Sequence, residues 1–102
     1  MERRLELHEE LCELLGSRNV YFQPPESLKM QYPCIRYSKS DVYKQNADNR
    51  LYQSRNSYEI IVIDSNPDSL LYESILSHFS MCKYDRSYIS ANLNHDVLTL
   101  YY

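Results

Sequence analysis

Three groupings in this chain hold residue types that do chemistry. His8 and Cys12 lie four apart, a spacing that puts two metal-ligating atoms on one face of a helix. Asn92, Asn94, His95 and Asp96 crowd together in a pattern superficially like a histidine-centred nuclease site. Asp41 with Asp48, and Asp64 with Asp68, could be read as paired carboxylates.

None of the three is complete. A zinc site needs more ligands than two, and Cys12 borders an apolar stripe, so a surface histidine beside a core thiol accounts for the first pair. A nuclease needs further ligands and a basic groove, and asparagine, histidine and aspartate are also ordinary residues of a tight turn. Asp64 and Asp68 are explained by helix capping. Asp41 and Asp48 sit in a polar stretch with no evident partner to perturb either pKa. No catalytic, cofactor-binding or metal-ligating residue is assigned, and the chain is expected not to be an enzyme and to need no cofactor.

The composition excludes several other classes. There is one glycine, Gly16, too few for a phosphate-binding loop or a dinucleotide fingerprint. A net charge of −3, with no basic run longer than Arg3-Arg4, argues against nucleic-acid binding as the main activity. Three widely spaced cysteines, Cys12, Cys34 and Cys82, do not make a disulfide framework and are expected to be free thiols in a reducing cytoplasm. No long apolar run is present, so neither a signal peptide nor a membrane span is expected. A length of 102 residues with 43% hydrophobic content suits a single domain, 1–102, with one modest core.

The elements follow from periodicity. Leu7, Leu11, Leu14 and Leu15 make a helical stripe that predicts a helix over 2–15, with Leu5 beside it and Gly16 as its terminating residue. Residues 19–23 predict a short strand with Val20 and Phe22 on one face, stopped by Pro24-Pro25. Residues 32–38 predict another strand, and 52–64 the strongest of all. Its Tyr58, Ile60 and Val62 point one way and Ile61 and Ile63 the other, the pattern of a central strand covered on both sides. A helix would cover one face and a neighbouring subunit the other. Asn66 as N-cap and Pro67 at the first helical position predict a second helix carrying Leu71, Ile75, Leu76 and Phe79. Residues 81–91 and 96–102 predict two antiparallel strands joined by a turn at 92–95. The expected fold class is α+β: a small mixed or antiparallel sheet of 4–5 strands with two helices packed on one face.

Between the second and third strands, an extended hairpin loop is expected at 39–56. A loop of this length in a small domain is more often functional than idle. Eleven tyrosines, and tyrosine and arginine concentrated around this loop, suit an interface better than a reaction centre. The candidate subunit interface is Arg36, Tyr37, Tyr43, Lys44, Asn46, Arg50, Tyr52, Arg55, Tyr58, Tyr101 and Tyr102. Ordinary strand surface is the competing reading.

Three blocks carry a further signal: Asn19-Val-Tyr-Phe-Gln-Pro-Pro-Glu26, Tyr32-Pro-Cys-Ile35 and Asn92-Leu-Asn-His-Asp96. With Tyr58–Asp64 and the turn after it, the chain resembles the tail terminator (tail completion) proteins of long-tailed bacteriophages and prophages of Gram-positive bacteria. The resemblance runs over most of the chain and implies no catalytic residue. It implies a tail-terminator-like fold and a structural virion protein at the tail–head junction, assembled in the bacterial host cytoplasm. Such a protein would cap the head-proximal end of the tail tube, end tail polymerisation and form the docking surface for the head connector. The implied partners are further copies in a hexameric ring, the tail tube protein and the connector (stopper or adaptor) proteins. Genome DNA would pass through the ring without specific binding, and no membrane would be involved. The alternatives are another head–tail neck component, an adaptor or stopper, or a host-derived cytoplasmic binding module.

Overall fold

The computed structural model describes residues 3–25, 27–40 and 57–102 of the chain. Their order is α1 (Arg3–Leu15), β1 (Val20–Phe22), β2 (Cys34–Lys39), β3 (Ser57–Asp64), α2 (Leu71–His78), β4 (Cys82–Ser90) and β5 (Leu93–Tyr101). The fold is α+β. One mixed sheet runs β1-β2-β3-β5-β4, with β1 parallel to β2 and every other pair antiparallel. The latest strand in the sequence, β5, thus lies inside the sheet, between β3 and β4.

Side-chain alternation builds two cores. Val20, Ile35, Tyr37, Tyr58, Ile60, Val62, Leu98 and Leu100 face the helices and pack against Leu7, Leu11 and Cys12 of α1, Ile75 of α2 and Phe79 directly after it. Both helices therefore lie on one face, and Leu7 and Leu11 are buried as the stripe requires. Leu5, beside the stripe, stands half exposed. Gly16 takes φ +85 and its N–H bonds the Cys12 carbonyl at 2.9 Å, closing α1 in the left-handed conformation that glycine adopts without steric cost.

The second core differs from expectation. Ile61 and Ile63 are not left for a neighbouring subunit; with Cys34 and Val97 they are buried by Tyr21, Met30 and Leu93 of the same chain. The segment between β1 and β2 folds across that face, held where the Gln31 N–H donates to the Tyr21 hydroxyl at 3.2 Å.

Two boundaries also move. Asn66-Pro67 does not open α2. Asn66 Oδ1 accepts the Asp68 N–H at 3.0 Å and its carbonyl accepts the Ser69 N–H at 3.2 Å, a separate local turn of the kind that asparagine favours. Helix α2 begins only at Leu71, leaving eight residues. The β4–β5 connection is the pair Ala91-Asn92, at φ 55 and φ 64, and not 92–95. Two left-handed central residues give the hairpin turn whose twist matches the strands, so Ser90 pairs with Leu93 and Asn94, His95 and Asp96 become strand residues.

Candidate functional site

The described end of α1 carries a polar cluster over the core. His8 Nδ1 lies 2.8 Å from the Tyr37 hydroxyl, and the Arg4 guanidinium sits 4.3 Å above the Phe22 ring and donates to Tyr37 at 3.4 Å. Cys12 is buried beneath, so the His8–Cys12 pair does not converge on a ligand. Among the described residues no group of three or more potential metal ligands occurs. Desolvation, reinforced by nearby Arg18 and Arg4, holds the His8 pKa below its ordinary value, against the opposing Glu9 charge. The unfolded chain thus binds the proton more tightly, and the folded state loses stability as pH falls below about 6.5. His8→Gln, which cannot titrate, should flatten the Tm decline between pH 7 and 5.5 in thermal melts; an unchanged slope would contradict this assignment.

The three thiols are free. Burial pushes Cys34 and Cys82 up to about 11, and Cys12 upward, so all three are protonated at neutral pH and poor nucleophiles.

The nuclease-like grouping is dispersed. Asn92 is in the turn. Asn94 and Asp96 face the helix side of the sheet, whereas His95 points to the other side and stacks on Tyr88, ring centroids 4.6 Å apart at 13°. Asp64 and Asp68 come near one another only as lining of the groove described below; Asp64 Oδ1 accepts the Asn66 N–H at 3.0 Å. Asp41 and Asp48 lie outside the described residues.

The candidate interface residues separate as well. Tyr43, Lys44, Asn46, Arg50, Tyr52 and Arg55 lie outside the described residues. Arg36 is exposed on the face away from the helices, and Tyr101 is 41% exposed at the end of β5. Tyr37 and Tyr58 do not form a surface: each is 1% exposed, and their rings meet edge-on at 6.0 Å in the core. Strand parity puts both on the helix side, opposite Arg36. Tyr102 is half-buried, its ring edge-on to Phe79 at 5.9 Å and its hydroxyl bonded to Glu10, which also meets His78 at 2.8 Å. It fastens the end of the chain to both helices.

A groove of about 630 Å³ lies between the 64–70 turn and the outer end of the β4–β5 hairpin. It exists because α2 is too short to cover the whole hairpin. Tyr72 and Tyr84, rings 5.0 Å apart, wall one end. Asp64, Asp68 and Asp96 line it, and no lysine, arginine or histidine does so among the described residues. Tyr84 donates to Asp96 at 2.7 Å, and that carboxylate raises the phenol above its ordinary pKa. Leu70 and Ile89, 58% and 72% exposed, form the apolar rim.

Beside the groove runs β4, nine residues long, exposed at every position after Cys82, and among the described residues it is an edge strand paired only with β5. A bulge at Asp85 resets its parity, so Tyr84, Ser87 and Ile89 share the helix side while Lys83, Arg86 and Tyr88 take the opposite one, Tyr88 still bordering the groove. This edge and groove were missed in the sequence because the bulge leaves no periodic trace. No protein-family model matches the chain, and no curated protein or solved structure matches it either.

Proposed function

We propose that this chain is a structural virion protein that caps the head-proximal end of a long-tailed phage's tail tube, ends tail polymerisation and presents the docking surface for the head connector. The observation that carries the reading is the set of three resembling sequence blocks. Asn19–Glu26 contains β1 and its stop, Tyr32–Ile35 enters β2, and Asn92–Asp96 begins at the left-handed turn and leads β5. The resemblance therefore falls on the segments that pair β1 with β2 and set the β4–β5 register. The long exposed β4 edge supports an assembly role, since an unpaired strand edge offers backbone donors and acceptors to another chain.

The test is binding to purified tail tubes. The protein should decorate one end of each tube, and negative-stain images of the heaviest free species should show closed rings of subunits. Failure to bind tube ends would overturn the reading, and binding to portal assemblies instead would assign the chain to an adaptor or stopper.

A further inference from the structure

Two exposed surfaces of opposite charge lie on opposite faces of the sheet. The first is the groove. Its strand residues Asp64, Ser87, Asn94 and Asp96 stand on the helix side, and Leu70 and Ile89 give it an apolar rim. Its carboxylates meet no lining cation among the described residues, and Asp68 is exposed without an ion-pair partner there.

The second surface is formed by the segment between β1 and β2 and by β2 itself. Residues 27–36 hold two cations, Lys29 and Arg36, and no carboxylate. Met30 packs on the cluster of Cys34, Ile61, Ile63 and Val97, which places the segment against the face away from the helices. Arg36 shares that face, opposite Tyr21 in the β1–β2 register, and the Tyr21 hydroxyl accepts the Gln31 N–H at 3.2 Å. Tyr21 thus ties the segment to the strand that carries Arg36. Lys29 and Arg36 are both exposed, and neither has an ion-pair or hydrogen-bond partner among the described residues. Leu28, beside Lys29, and Tyr32 stand 41% and 44% exposed.

Each surface holds what the other lacks: cations with an exposed leucine on one, carboxylates with an apolar rim on the other. The chain does not join them within itself, since none of residues 27–36 lines the groove. Neither suits a copy of itself. Groove against groove would set carboxylate on carboxylate, and patch against patch cation on cation, both unfavourable at an interface.

Resting on the assembly reading above, we infer that the 27–36 surface of one copy docks on the groove of a second copy, its cations toward the carboxylates and Leu28 against the Leu70–Ile89 rim. The two surfaces differ and face opposite ways, so the contact is head-to-tail, the kind that closes into a ring.

Sedimentation of the full chain over a concentration series tests this beside tube-end binding. Lys29→Ser with Arg36→Thr discharges the patch, and Asp68→Lys with Ile89→Lys places cations on the groove; all four positions are exposed. Each double variant should weaken self-association at least about tenfold, about 1.4 kcal/mol, with Tm within a few degrees of wild type. An equimolar mixture of the two should form a 1:1 dimer and grow no further, because one intact patch then meets one intact groove. Wild-type protein that stays monomeric throughout, variants that associate as wild type does, or a mixture no heavier than its components would each overturn the inference, while tube-end binding by wild type judges the terminator reading separately. Variants that keep self-association but lose tube-end binding would overturn it too, making the tube protein the occupant.

Discussion

Ile60→Ala should lower the Tm by at least about 10 °C in a circular-dichroism melt. Ile60 is fully buried on β3, paired with Tyr37 of β2 on one side and Leu98 of β5 on the other, with the helices above. Its removal takes away transfer free energy and leaves a cavity among strands that cannot collapse independently, a loss of about 2–5 kcal/mol. A domain of this size holds about 5–15 kcal/mol in total, so one side chain carries a large share. A control at Ile89, which is exposed, should melt within a few degrees of wild type. If Ile60→Ala melted with it, the helix-side core would not be the main source of stability.

On the proposed terminator reading, deleting this chain from a phage or prophage that encodes it should yield tails of uncontrolled length. Tube subunits stack through a heterologous contact that does not close on itself, so polymer growth has no internal stop and ends only when another protein occupies the growing face. Without that cap, lengths in negative-stain micrographs should spread broadly above the wild-type value, with heads lacking tails beside them. Tails of normal length together with heads that fail to hold DNA would instead assign the chain to the adaptor or stopper layer.

The parts of this fold that were legible in the sequence are those in which periodicity runs unbroken. Leu7 and Leu11 with Gly16 define α1, and the double-sided apolar run of β3 marks it as an inner strand. What was not legible depends on single backbone events. The bulge at Asp85 moves Arg86 and Tyr88 to the face opposite Tyr84, where plain alternation would keep all three together. The Ala91 turn is hidden because alanine rarely adopts positive φ, and Asn66 satisfies a local turn before any helix begins. Residue type alone also marked Tyr37 and Tyr58 as interface anchors, although their strand parity directs them into the core. The cover over Ile61 and Ile63 comes from the irregular segment holding Met30, which has no pattern to read.

The inner position of β5 has a consequence for vectorial synthesis. While the ribosome is still translating toward Leu93, β3 has β2 along one edge only, and β4 has no strand to pair with. The nascent chain then presents Ile60, Val62 and their unpaired amides as an open template, and only arrival of Leu93–Tyr101 seals β3 and recruits β4 together. Folding of this sheet is accordingly non-local and late, so the crowded interval before β5 emerges is when nascent chains are most exposed to mispairing with one another.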